Sequence, residues 1–234
     1  LLSWFNALGV TVQEAYGQTE TGIVTATIPG KSPIGSIGRA MRNIEAKLAD
    51  DGEIVIRSSS NFSGYLNQPE KTAETVIDGW VYTGDVGTMN GNGDLTILDR
   101  KKDIIITAGG KNITPSQVEN ELKFSPFISD AVVVGDKRKY LTCLIMIDQE
   151  NVENHAQTHN IPFTDYRSLC AHPDIIGLIE AEITRANKKF SSVEQVKKFR
   201  LINVLLTAED DEMTPTMKLK RKFVETKYEN LISE

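Results

Sequence analysis

With 234 residues, 40% hydrophobic and 25% charged side chains, the chain has the makeup of a globular protein with room for one large or two smaller cores. A formal charge of -6 and a pI near 5.3 repel polyanions and speak against nucleic acid as a partner. Two cysteines, Cys143 and Cys170, are too few for a disulfide scaffold and lack metal-ligand spacing, and no apolar run approaches the roughly 20 residues that span a bilayer. The expectation is a cytoplasmic protein with reduced thiols, with peripheral association to a membrane left open.

Residues 1–9, LLSWFNALG, read as the last turns of an amphipathic helix closed by Gly9, and VTVQEAY after it as a buried strand. A chain that opens in mid-helix reads as truncated. Residues 10–101 are strand-rich. Asp50-Asp51-Gly52 separates strands at 44–49 and 53–57, and Asn90-Gly91-Asn92-Gly93 separates strands at 87–89 and 94–98. Residues 69–76, opening on Pro69, support a short helix. The strand ending at Tyr16 is expected in a layer of its own.

After Lys102 strands and helices alternate. A short strand at 104–107 precedes Thr114-Pro115-Ser116-Gln117, a capping box that opens a helix to about Phe124. Strands are expected at 131–134 and 142–147 and a helix over 149–159. Ile176, Ile179, Ile183 and Ala186 mark one face of a longer helix, a last strand covers 199–206, and a terminal helix starts at Lys218. The boundary between the two patterns falls near residues 100–103.

Four segments carry chemistry. Tyr16-Gly17-Gln18-Thr19-Glu20 ends a strand with an aromatic ring, a glycine and a carboxylate, which can meet a base, a phosphate and Mg2+ in turn; an ordinary strand-to-loop turn has the same residues. Tyr82-Thr83-Gly84-Asp85 puts an acid after a tight turn, where it can accept both hydroxyls of a ribose or simply close the turn. Asp99-Arg100-Lys101-Lys102-Asp103 is a charged run, which by itself describes a solvated face. Pro215-Thr216-Met217-Lys218-Leu219-Lys220-Arg221 is a basic segment at the start of the terminal helix.

In this order and spacing the four segments resemble the adenylate-forming superfamily, over essentially the whole chain, and in particular the C-terminal portion of a long-chain fatty acyl-CoA synthetase. The resemblance implies an α+β fold: residues 1–101 as the β-rich C-terminal part of the large AMP-binding domain, and 102–234 as a small, mixed α/β C-terminal domain swinging on a hinge at Lys102. It implies that Tyr16, Gly17, Gln18 and Thr19 bind the nucleotide, with Tyr16 on adenine and Thr19 on the α-phosphate, and that Glu20 holds Mg2+. Asp85 is implied as the ribose acid and Arg100 as the base reaching ribose and phosphate. Gly109, Gly110 and Lys111 would line the passage for CoA, and Lys218 would stabilise the adenylation transition state. Met217 stands where the family usually has glycine, a departure resembling the long-chain branch; Lys220 and Arg221 compete for the lysine's role.

The implied reaction takes a fatty acid, ATP and CoA to acyl-CoA, AMP and pyrophosphate, with a domain rotation bringing first Lys218 and then the Gly109 loop to the site. Loading of a carrier protein or release of the acyl-adenylate are alternatives. The family's Ser/Thr/Gly-rich phosphate loop does not occur in these 234 residues. A third expectation is therefore a non-catalytic nucleotide-binding or interaction fragment, inactive alone in ATP–pyrophosphate exchange. Weaker signals are the His155/His159 pair, read as a solvated surface, and Lys188, Lys189, Lys197, Lys198 and Arg200, a basic stretch that could meet CoA phosphates. Trp4 and Trp80 read as packing residues.

Overall fold

The structure, a computed structural model, describes residues 2–207, 209–214 and 219–233. The chain divides into two compact units, Leu1–Asp103 and Ile104–Glu234. The fold is α+β, as the resemblance implied.

The N-terminal unit starts with helix α1 (Leu2–Ala7) and then pairs β1 (Ala15–Gln18), β2 (Gly22–Ala26) and β3 (Arg39–Ala40) in an antiparallel sheet of that order. Strand β1 is shorter than the sequence pattern suggested. Pairing reaches back only to Glu14, bonded through Thr27, and Val10 and Val12 are exposed instead of buried. Gly17 sits at a bulge, where a Cβ would lie 2.1 Å from the Gly22 carbonyl oxygen; only glycine fits so close to the neighbouring strand.

A second sheet follows, with β4 (Glu45–Leu48), β5 (Glu53–Arg57), helix α2 (Pro69–Thr75), β6 (Val76–Ile77), β7 (Trp80–Met89) and β8 (Leu95–Arg100). All its pairings are antiparallel. The long β7 serves both sides: Val86 pairs with Glu53 of β5 and with Asp99 of β8, which brings the ends of those strands together. The core is small, with Val24, Ile54, Ile56 and Leu95 buried and Tyr16, Ile37, Ile44 and Ile97 packed round them. Lys101–Asp103, a single turn of 3-10 helix, ends the unit. Trp80 is covered by the cations of Lys47 and Arg57, at 4.2 and 4.5 Å from the ring. Trp4, expected to pack, is 59% exposed and touches Phe5 edge-on.

In the C-terminal unit β9 (Ile105–Ile106) and β10 (Asn112–Ile113) form a hairpin, followed by α3 (Pro115–Leu122), β11 (Ile128–Val134), β12 (Leu141–Ile147), α4 (Gln149–Thr158), α5 (Tyr166–Ala171), α6 (Pro173–Asn187), β13 (Val196–Leu201), α7 (Arg221–Lys227) and α8 (Glu229–Ser233). The sheet order is β11-β12-β13. Strand β13 runs parallel to β12, which requires the long crossover that α4–α6 supply. Central β12 is almost wholly buried, matching its apolar run from Cys143 to Ile147.

Four expectations are corrected here. Thr114 is the N-cap of α3 but makes no side-chain capping bond, so the capping box is not formed. In α6 the buried stripe is Ile175, Ile179, Ile183 and Ala186, while Ile176 is 37% exposed, because the face turned to β13 is set one residue earlier. The last strand begins at Val196 and ends at Leu201, in register with Leu141 to Ile145. The terminal helix begins at Arg221 and breaks near Tyr228.

Candidate nucleotide site

Strand β1 and the β7–β8 pair bring three of the four segments together. Asp85, on β7, is 4% exposed, and both its oxygens are engaged. The Tyr16 hydroxyl donates to Oδ2 at 2.5 Å and the Gln18 amide donates to the same oxygen at 2.8 Å. Arg100 Nε meets Oδ1 at 2.9 Å. Thr83 anchors the turn from beneath: its hydroxyl donates to the Ile54 carbonyl at 2.7 Å and accepts the Asp85 N–H at 3.1 Å. Gly84 between them has φ +72°, a backbone state a side chain would strain. Burial, and after it the bond to Asp85, pushes the Tyr16 phenol well above its ordinary range, so Tyr16 stays a donor. The result is a carboxylate on a rigid mount, at which a diol would share or take over the acceptor positions now held by Tyr16, Gln18 and Arg100.

Beside this carboxylate lies an open, mostly polar hollow of about 780 Å³, lined by Gly17, Gln18, Thr19, Glu20, Gly84 and Arg100 among others. Thr19 is exposed there. Glu20 Oε1 accepts the Tyr65 hydroxyl at 2.7 Å, and its backbone carbonyl accepts the Phe62 N–H at 2.7 Å. The Tyr65 ring is itself covered by Lys71, whose ammonium lies 4.2 Å from its centre. Its phenol is raised by burial first and by Glu20 second. No cluster of three metal-ligating side chains occurs among the described residues. A single carboxylate suits Mg2+, which is commonly held by one or two carboxylates plus substrate phosphates.

Sequence reasoning missed three residues. Glu53 is 3% exposed, with Oε1 accepting the Gly84 N–H at 2.8 Å and Oε2 meeting Lys101 Nζ at 2.7 Å. Lys101 also meets Asp51 at 2.6 Å, and the bonds to Asp51 and then Glu53 hold its ammonium well above its ordinary value. Tyr65 is the third. A lone Glu opening a strand and a tyrosine 45 residues after its partner leave no pattern in a sequence.

The remaining site residues lie elsewhere. Lys102 is exposed on the 3-10 turn that ends the N-terminal unit. Gly109, Gly110 and Lys111 form the exposed tip of the β9–β10 hairpin, closed by Gly110 N–H to Thr107 O at 2.8 Å and Thr107 N–H to Lys111 O at 3.0 Å. Lys218, with residues 215–217, lies outside the described residues. Its competitors are accounted for. Arg221 donates to the Val133 carbonyl at 2.7 Å and to Glu119 at 2.6 Å, and Lys220 Nζ donates to the Asp211 carbonyl at 3.0 Å. Arg221 is thus a structural tie from α7 to α3 and β11, in place of an exposed basic helix start. Of the basic stretch, Lys189 pairs with Glu121 at 2.8 Å and Lys197 donates to Gln195. His155 and His159 stack at 4.0 Å, with Phe127 edge-on to His155.

Asp85 is thus a buried carboxylate on a rigid turn, next to a polar hollow, in a unit that a second α+β unit follows. The chain belongs to the AMP-binding enzyme family: residues 102–234 match the AMP-binding enzyme C-terminal domain, and residues 1–66 match the AMP-binding enzyme domain. It is 40% identical over 227 residues to the long-chain-fatty-acid–CoA ligase FadD15 of Mycobacterium tuberculosis, covering 96% of this chain and 38% of that protein. The human long-chain-fatty-acid–CoA ligase 6 is 34% identical over 244 residues, or 97% of this chain and 35% of that one. Among solved structures, the adenylation domain of a carboxylate reductase from Mycobacterium chelonae superimposes with a TM-score of 0.79 at 25% identity, over 99% of this chain and 36% of that one. O-succinylbenzoate coenzyme A synthetase from Bacillus subtilis in complex with AMP shares the fold, with a TM-score of 0.70 at 24% identity, over 94% of this chain and 42% of that one. The chain spans less than half the length of these relatives. No helix among the described residues is long and apolar enough to cross a membrane.

Proposed function

We propose that the chain is the C-terminal part of an ATP-dependent acyl-CoA synthetase, which converts a fatty acid, ATP and CoA to acyl-CoA, AMP and pyrophosphate through an acyl-adenylate. The observation that carries this reading is Asp85, a buried carboxylate fixed by Tyr16, Gln18 and Arg100 beside a hollow that also holds Glu20. In this reading Asp85 accepts the ribose hydroxyls, Thr19 and Arg100 meet the phosphates, and Glu20 holds Mg2+. The metal supplies charge neutralisation on the phosphate oxygens. Lys218 adds a cation where negative charge builds up during adenylation. Lys102 is the hinge between the domain 1–101 and the domain 102–234, and the Gly109-Gly110-Lys111 loop receives CoA. The names of the sequence relatives favour long-chain acids as substrates.

AMP titration of the chain by calorimetry tests the first assignment. Asp85→Ala should weaken binding roughly 10- to 100-fold, the worth of one or two hydrogen bonds to a charged group; unchanged affinity removes Asp85 from the ribose. In the full-length protein, Lys218→Ala should abolish adenylate formation and spare thioester formation from preformed acyl-adenylate. Equal loss of both half-reactions would sink the lysine's role. The same assay with and without CoA, over acids of different length, decides acceptor and substrate class.

A further inference from the structure

We infer that Glu53 and Lys101 form a latch that fastens the last turn of the N-terminal unit to the Thr83-Gly84-Asp85 turn, so that this turn keeps its seat when a ribose takes Asp85. The inference rests on Asp85 as the ribose acid. Two neighbouring cations hold the end of β8 to that turn. Arg100 grips Asp85 itself, at 2.9 Å, and Lys101 grips Glu53 at 2.7 Å. These two holds differ in what a ligand does to them. Both oxygens of Asp85 are already occupied, so an arriving diol must share or displace those partners, and the Arg100 side chain, 52% exposed, is the one least enclosed.

Glu53 lines the same hollow but is held differently. Its side chain is 5% exposed, one oxygen is spent on the Gly84 N–H and the other on Lys101. Strand register makes this possible, since Val86 pairs with Glu53 on one side and Asp99 on the other. A carboxylate this enclosed is costly without a cation, so Lys101 is strongly bound to it, and Asp51 holds the same ammonium at 2.6 Å from the solvent side. Two residues beyond Lys101 the unit ends, at Asp103. Glu53 is therefore a positioning residue, acting through Gly84 on one side and Lys101 on the other.

Hydrogen exchange of the amides of residues 101–103, followed by mass spectrometry with and without saturating AMP, tests the latch. Glu53→Gln keeps an oxygen for the Gly84 N–H and loses the ion pair; Lys101→Met loses the pair and leaves Glu53 in place. In the wild type, AMP should leave exchange of these amides within about twofold, whereas in each variant AMP should speed it at least about fivefold. The double variant should be no faster than either single one. Exchange in the variants that ignores AMP, or effects of the two substitutions that add, would overturn the latch. If the wild type binds no AMP, the ribose reading fails instead. The latch is then judged without nucleotide, where adding Lys101→Met to Arg100→Met should speed exchange well beyond Arg100→Met alone, and no further acceleration would refute it.

Discussion

Both units bury carboxylates, but the N-terminal unit buries few apolar side chains, whereas the C-terminal unit buries a long series of them drawn from nearly every helix and strand. Asp85, Glu53 and Asp94 each sit almost out of solvent in the first unit, and each holds two or more partners: Asp94 takes Ser32, Arg39 and Asn90. In the second unit the candidate CoA residues sit at an exposed hairpin tip, while the buried carboxylates Glu119, Glu121 and Glu212 are taken up by Arg221, Lys189 and Lys227 and tie its elements together. The difference teaches where precision comes from. Apolar contact fixes volume but not direction, whereas a carboxylate with several donors has a fixed orientation. A residue that must aim at a ribose needs the second kind of support.

Substitutions can break this contrast. Ile145 is fully buried in β12, and Ile145→Ala should cost the C-terminal unit about 2–5 kcal/mol, since the cavity cannot collapse between sheet and helices. Calorimetry should show that unit's transition lowered while AMP affinity stays within twofold; a comparable loss of AMP binding would show that the site depends on the second core. Arg221→Met comes next, at about 3 kcal/mol, because it strands Glu119 and the Val133 carbonyl in a mostly buried place. Its pH dependence has a definite sign. Burial raises the Glu119 carboxyl above its ordinary value even with Arg221 beside it, and removing Arg221 raises it further. A raised folded value means stability that is present at low pH and lost as pH rises, so the variant should lose less at pH 4.5 than at pH 7.5. Asp94 works in the opposite direction. Ser32 and then Arg39 hold its carboxyl below the ordinary value, so the N-terminal unit should lose that support as pH falls below about 4. Urea unfolding at pH 7.5 and 4.5 reads the first sign, and a further point at about pH 3 reads the second.

How much of this was legible follows from the same contrast. Hairpins at Asp51-Gly52 and Asn90-Gly91 were readable because a turn is written in adjacent residues, and β12 because of its apolar run from Cys143 to Ile147. Tyr16, Gln18, Asp85 and Arg100 were readable as parts of short segments, and the structure gathers them round one carboxylate. Their supports were not. Glu53 reaches Gly84 across 31 residues and Lys101 across 48, and nothing local in the sequence signals such a pairing. The strand expected at VTVQEAY failed for a related reason: its apolar alternation is real, but a strand also needs a ladder partner, and β2 supplies one only as far as Glu14.

One element was missed although its signal is local. Helix α5 is capped by Asp165, whose carboxylate accepts the Ser168 N–H at 2.8 Å while the Ser168 hydroxyl accepts the Asp165 N–H at 3.0 Å. Asp-Tyr-Arg-Ser is thus a working capping box, whereas Thr114-Pro115-Ser116-Gln117, which has the expected residues, makes none. The residues do not decide it alone; the N-cap backbone must also turn its side chain over the first amides. Asp165→Ala should therefore cost about 1 kcal/mol, and Thr114→Ala close to nothing, measured as shifts of the C-terminal unit's urea midpoint. Helix α5 is only six residues long and contributes Leu169 and Cys170 to the core, so its cap has little helix propensity to fall back on. Equal costs at the two positions would mean that cap residue type outweighs cap geometry.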